Sequence, residues 1–553
     1  MYSSEPLPHF VDDLLSYLHE VYPTTATFDG VHTHDDLLED YSRSAIDTHL
    51  RELGSFSRRL SAINPDTLSP TERAERQVLE ANIRSRLFEL EELRTWERDP
   101  QYYAETLAIS LAAQAIFAYA PTEQRARRVL SKLRQTPRLL QNARDNIKEP
   151  PGIFVKTAVE TLRGVQSFID RDLPRAFSEV DDLSLLGDLA DAATEASQAV
   201  AAYADYLERE VAPKTKGSFR IGREPFETKL KLEEGITLSS DRLLAIGMRE
   251  LAVTQEEFRR VASRLDAKSP QEAWRKIKED HPAPGELVAT ARAQVDELAT
   301  FITRHPIISM PECEPLVVAS TPQFYRWTFA SLWTPGAFES RPLRSYYYLT
   351  DVDPAWTAER REEHLRDFNI PALWSISVHE SYPGHFLHLQ HVRRVASRMR
   401  KSILFAPTSF VEGWAHYAEQ MMLEEGLGDR DPARRLGQLA EVLIRLARLI
   451  VGIRLHSEDL SVEQGVRFFK DEAFLEEGTA RKEAERGTFN PSYVVYALGR
   501  LMMLKLREDV RANQGERYSL KGFHDALMSN GFGPFSLHRQ LLLGEEAGKA
   551  LIE

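Results

Sequence analysis

Cysteine is almost absent from this chain: Cys313 is the only one in 553 residues. A lone thiol excludes an intrachain disulfide framework and any cysteine-built metal cluster. An excess of basic residues is also missing. Asp and Glu number 84 against 70 Lys and Arg, a formal net charge of −14, which argues against nucleic acid or an anionic membrane as the main partner. Local basic runs such as Arg125-Ala126-Arg127-Arg128 and Arg393-Arg394 read as solvated helix faces. The longest apolar run, Leu107 to Ala120, is interrupted by Ser110 and Gln114 and is too short to span a bilayer. The first residues, Met1-Tyr2-Ser3-Ser4-Glu5-Pro6, have neither the basic nor the apolar stretch of a secretory signal, so a cytoplasmic protein is expected. No fixed-period repeat or low-complexity linker appears, which excludes a solenoid or tethered modules.

What is present is an ordinary globular composition, 42% hydrophobic, 28% charged and 9% aromatic. Its patterning is helical. Val11-Leu14-Leu15-Leu18-Val21 and Leu439-Val442-Leu443-Leu446-Ile450 follow the i, i+3, i+4 rhythm of a buried helix face. Helical stretches are predicted near 40–62, 71–98, 122–148, 189–210, 240–266, 284–304 and 431–450, punctuated by Glu149-Pro150-Pro151-Gly152 and Thr334-Pro335-Gly336. Two stretches depart from this rhythm. Pro315 to Ala319 and Ser345 to Leu349 read as strands, forming either a core hairpin or an edge that a bound peptide could extend.

The most informative segment is Val378-His379-Glu380-Ser381-Tyr382-Pro383-Gly384-His385. It is an H-E-x-x-H zinc motif with two residues inserted before the second histidine. The uninterrupted motif works because i and i+4 share a helix face, so both imidazoles reach one metal and the Glu faces the water that the metal acidifies. Six residues of ideal helix turn through about 600°, leaving His385 about 120° off the face of His379. Pro383 lacks an N–H and Gly384 tolerates unusual backbone angles, so a break at Tyr382-Pro383-Gly384 is expected to swing His385 back beside His379. His388 is an alternative second ligand, and His391 is a further candidate.

A third ligand is sought downstream in Ser409 to Glu419. Glu412 follows His385 by 27 residues, room for a loop and a second helix crossing the first. His416, one turn on, either replaces Glu412 or steadies a ligand by a hydrogen bond, and Glu419 shares its face. Glu380 is the candidate general base. Tyr496 and His456 are candidate donors to the developing charge on a substrate carbonyl, and Arg486 and Arg500 candidate binders of a substrate carboxylate.

These residues resemble the bacterial family labelled domain of unknown function 885, whose hallmark is H-E-x-x-P-G-H. Ser340-Arg341-Pro342 with Tyr347-Tyr348, and Glu412-Gly413-Trp414-Ala415 with Tyr417-Ala418-Glu419, resemble further family segments. So do Arg454 to His456, Glu483 to Arg486 and Tyr496 to Gly499, while Gly222 to Phe226 extends a weaker likeness across the chain. The family is similar in fold to helical zinc carboxypeptidases of the Taq type. The resemblance implies a mainly α, elongated, gluzincin-like fold with a deep cleft and a small β-sheet beside the metal. It makes His379, His385 and Glu412 the ligands of one zinc ion, Glu380 the base and Tyr496 the carbonyl donor. His456, Arg486 and Tyr347 fall on the substrate side. Phe386 stands where the family commonly has histidine, Arg344 near an expected glycine, and Gly487 at a usual tyrosine.

The expectation is one helical metallopeptidase-like domain over 1–553, two-lobed around a cleft, with its metal core at about 310–510. Its reaction would be carboxypeptidase-like cleavage of short peptides, the exopeptidase direction resting on fold analogy. The alternatives are a zinc hydrolase of non-peptide amides and a catalytically decayed metal- or peptide-binding protein.

Overall fold

Proline and serine punctuation sets many of the helix starts. Ser69 caps the Pro70–Phe88 helix reciprocally with Glu72, with Pro70 in the first turn where its missing N–H costs nothing. Ser42, Asp182, Ser239 and Asn369 likewise cap the helices that follow them. The computed structural model describes residues 5–265, 267–322, 326, 329–428, 431–544 and 548–550. Met1 to Ser4, part of the expected absence of a signal, and Asp266, the expected end of one helical stretch, lie outside them.

The chain is mainly helical with one small sheet. Helices occupy the predicted stretches as Arg43–Ala62, Pro70–Phe88, Thr122–Asn146, Leu183–Tyr206, Ser240–Ala262, Leu287–Arg304 and Pro432–Ser457, although the 71–98 stretch breaks at Arg94, whose backbone is left-handed. Pro137 lies inside Thr122–Asn146 without ending it. No helix among the described residues is long and apolar enough to cross a membrane.

Two large apolar cores organise the helices. One runs from Leu38 to Leu207 and involves Gln101–Ile116, Thr122–Asn146, Gly152–Ser167 and Leu183–Tyr206. The other runs from Phe226 to Leu543 around the Pro432–Ser457 helix, whose Leu443, Ala447, Leu449, Ile450 and Leu455 are fully buried. Truncating any of these leucines to alanine costs about 2–5 kcal/mol. A third cluster joins Leu7 to Ile83 with Met399, Leu404 and Phe405, tying the N-terminal helices to the loop that leads into Thr408–Glu424.

The sheet packs into two smaller apolar clusters of its own. Its strands are β1 (Val317–Ser320), β2 (Ala330–Trp333) and β3 (Tyr346–Leu349), in the order β1-β3-β2. The two predicted strands are β1 and β3, but they pair in parallel, Val317 opposite Tyr346, so the hairpin expectation is corrected. The antiparallel partner of β3 is β2, which the sequence reading missed. Alternation along the strands divides the faces. Val318, Tyr347 and Leu349 pack with Leu287, Val295 and Leu373, while Tyr348 joins Phe117, Tyr119 and Trp333.

Candidate metal centre

The Ile370–Glu380 helix ends at the residue after His379, and a new helix, His385–Val392, begins at the next histidine. Between them the chain folds back on itself. The Gly384 N–H donates to the Val378 carbonyl at 3.1 Å. A Cβ on Gly384 would stand 1.9 Å from the His379 carbonyl oxygen and 2.3 Å from that of Val378, so only glycine can rest on this turn. The indole of Trp414 pins the break from outside, its Nε1–H donating to the Pro383 carbonyl at 2.9 Å. The reversal brings the His379 and His385 rings to 4.6 Å between centroids, at 89° to each other.

Glu412 comes to this pair from the Thr408–Glu424 helix. Its Oε2 lies 3.2 Å from His379 Nε2 and 3.5 Å from His385 Nε2. One ligand atom from each of the three residues falls within 4.8 Å of the others. Both imidazoles are buried and the Glu412 side chain is 20% exposed, so the cluster has a solvent side. Two imidazole nitrogens and one carboxylate oxygen are donors that could together hold a divalent metal ion.

Behind His379 stands a carboxylate hub. Glu419 Oε1 accepts from His379 Nδ1 at 2.8 Å, which puts the proton on Nδ1 and aims Nε2 at the cluster. The same carboxylate meets His416 Nδ1 at 3.3 Å, the Ser375 hydroxyl at 2.8 Å and the Arg445 guanidinium at 3.9 Å. Burial would lower the His379 pKa, but Glu412 and Glu419 outweigh it and push it up to about 9. Burial would raise Glu412, yet the two histidines hold it well below the usual carboxylate range. The field at this spot favours positive charge. Glu5, His9 and Asp13 form a second His/carboxylate group, but there Arg59 already supplies the cation.

The Thr408–Glu424 and Val495–Gln514 helices cross where Gly413 meets Gly499, backbone against backbone. This crossing sets Tyr496 near Glu412. Burial, then the Glu412 charge, raise the Tyr496 phenol above its ordinary pKa. Arg486 donates to its hydroxyl at 3.2 Å, and the Arg448 guanidinium lies 5.2 Å from its ring centroid. Arg448 is itself fixed by a two-pronged pair with Glu483, at 2.6 and 2.8 Å. Two adjacent carboxylates, Glu233 and Glu234 at the end of the Arg223–Glu234 helix, hold the starts of these two segments. Glu234 accepts the Ser409 N–H at 2.8 Å, and Glu233 the Ser492 hydroxyl at 3.2 Å.

Glu380 sits half-buried at the helix end. Burial, and after it the Glu380 charge, push the Tyr347 phenol up although Ser377 opposes them. The structure thus gathers His379, His385, Glu412, His416, Glu419, Tyr496 and Arg486, with Glu380 following His379 at the helix end. Three expected residues are placed otherwise. Tyr347 is fully buried against Ser377 behind the site, leaving no face for substrate. His456 is buried, stacks on Phe226 and bonds the Gly487 carbonyl at 2.8 Å. Arg500 is 8% exposed and donates to Gln420. Of the alternative ligands, His388 is enclosed by aromatic rings and His391 bonds the Ser309 carbonyl. Gly487 stands where it does because a Cβ there would lie 2.3 Å from the Tyr493 hydroxyl. The sequence reading missed Ser375 and Arg445. The signal for Arg445 was present, a cation on the apolar stripe of Val442 and Leu446.

A family model described as bacterial protein of unknown function (DUF885) matches residues 23–542. The chain belongs to that family. A solved structure of a candidate lipoprotein of unknown function from Shewanella oneidensis is 25% identical, with a TM-score of 0.80 over 98% of this chain and 100% of that one. A candidate lipoprotein from Colwellia psychrerythraea shares the fold at 19% identity, with a TM-score of 0.82 over 98% and 99% of the two chains. No curated protein matches the chain.

Proposed function

We propose that this member of the family is a zinc-dependent hydrolase that cleaves short peptides from the carboxyl end, on a gluzincin-like fold akin to the Taq-type carboxypeptidases, with substrate entering along a cleft. The observation that carries this reading is the convergence of His379 Nε2 and His385 Nε2 on one oxygen of Glu412, with Glu419 orienting the first imidazole. Those residues would hold the ion.

When bound, zinc supplies Lewis-acid polarisation of a carbonyl and lowers the pKa of water. The remaining work belongs to the chain. Glu419 keeps His379 in the tautomer that leaves Nε2 free. Glu380 takes the proton of the attacking water and delivers it to the leaving amine. Tyr496, its pKa raised, remains an O–H donor to the carbonyl oxygen as charge develops there. Arg486 steadies that hydroxyl and offers its other nitrogens to a terminal carboxylate.

Metal analysis of protein purified without added metal tests the first half of the proposal: one zinc per chain is expected, lost in His379→Ala. Digestion of a peptide mixture tests the second. Glu380→Gln should retain zinc while turnover falls by roughly 10²–10⁴. A metal-free wild type removes the centre, and undiminished hydrolysis by the variant removes Glu380 from the mechanism.

A further inference from the structure

Metal-binding histidines ordinarily spend their second ring nitrogen on a partner that fixes the ring. His379 does so through Glu419. For His385 the corresponding atom, Nδ1, is buried without a hydrogen-bond partner from the protein. One turn along the same helix, both ring nitrogens of His388 are buried in the same state. His388 is fully enclosed, its ring 5.4 Å from Phe410, 6.3 Å from Trp414 and 5.7 Å from Phe532. An imidazole in such apolar surroundings is neutral and has one donor and one acceptor to satisfy. Leaving them unmet is costly. Residues at i and i+3 are neighbours on a helix surface, so the His385 and His388 rings, with three unsatisfied nitrogens between them, leave the helix on the same side.

Resting on the metal reading, we propose that His388 is a positioning residue for the ligand His385, through one buried water that accepts the His385 Nδ1–H and donates to a His388 nitrogen. The two ligand histidines are then held by different means. A carboxylate orients the first and adds charge, while a neutral imidazole and a water orient the second and add none. This also accounts for a histidine inside an aromatic box.

The test is zinc affinity, measured by chelator competition on the full chain, for wild type, His388→Phe and His388→Gln, with His379→Ala as control. His388→Phe keeps the box filled but removes the acceptor; zinc should bind about 10–100-fold more weakly. His388→Gln keeps an acceptor and should bind close to wild type. Circular dichroism of the metal-free His388→Phe protein should show it folded, so that weaker zinc binding reads the lost acceptor and not lost structure. Zinc held by His388→Phe as tightly as by wild type would overturn the role of His388, as would a His388→Gln no better than His388→Phe. A wild type that binds no zinc would instead overturn the metal centre, and this proposal with it.

Discussion

Replacing Gly499 by alanine gives a sharp test of how the site is built. A methyl group at this position would stand 2.0 Å from the Ser409 carbonyl oxygen, 2.8 Å from Gly413 Cα and 2.9 Å from the Ser409 carbonyl carbon. Ordinary contact begins at 3.4 Å, so the two helices must part by about 1.4 Å at their crossing. Two effects compete. Alanine in a helix gains about 1 kcal/mol over glycine. Forcing apart a close-packed crossing costs about 1–3 kcal/mol, and backbone on both sides places the cost at the upper end. A net loss of about 1–2 kcal/mol is expected. The functional effect should be larger than the thermal one. Glu412 adjoins Gly413 on the displaced helix, whereas His379 and His385 sit on two others. Metal–ligand distances tolerate only about 0.2 Å, so zinc should bind at least roughly tenfold more weakly. Gly187→Ala is the control. That glycine lies in the Leu183–Tyr206 helix with nothing within 4 Å of a built Cβ, and the variant should be stabilised by up to about 1 kcal/mol. Thermal melting and chelator competition read both quantities. A Gly499→Ala protein that melts above wild type and keeps its zinc affinity would refute the account of the crossing.

Gly384→Ala should be more damaging, since the clash is with the carbonyl of a ligand residue, 1.9 Å away; zinc titration should show loss of the site even where circular dichroism shows the helices intact. Glu419→Ala should weaken zinc by about 10–100-fold while leaving all three ligands present, and an unchanged affinity would remove the hub. Acid should destabilise the fold through its enclosed histidines. Burial lowers His456 and His524 to about 4 and His538 to about 3. A folded value below the unfolded one means the stability is full above about pH 6.5 and drains as pH falls towards 4, at about 1.4 kcal/mol per unit for each fully titrating group. Melting midpoints that stay flat between about pH 7 and 5 would contradict that assignment.

The break in the metal motif was legible because two residues carry it chemically. Pro383 cannot continue the helix's hydrogen bonding and Gly384 can enter a place closed to any Cβ. The Glu412-Gly413-Trp414 run was legible as pattern but not as mechanics. Only the fold shows one residue reaching the histidines, the next allowing the helix crossing and the third pinning the break. Periodicity identified helix faces that are buried, yet not what they are buried against. Hence Arg500 looked like a substrate group and proved to bond Gln420, and His456 proved to lie against Phe226. Strand β2 escaped because Ala330-Ser331-Leu332-Trp333 has little β-branched character; its pairing with β3 defines it.

The carboxylates at positions 233 and 234 give the molecule an inconvenient indivisibility. Although every proposed ligand and base falls within 310–510, cutting out that stretch would strand the Ser409 amide without its acceptor and free the turn before Tyr496. It would also strip Phe226, Leu230, Phe258 and Phe523 from a shared interior. Anyone seeking a minimal version of this protein should keep the upstream scaffold, because the starts of the segments that carry Glu412 and Tyr496 are both tied to the end of a helix far from either in the chain.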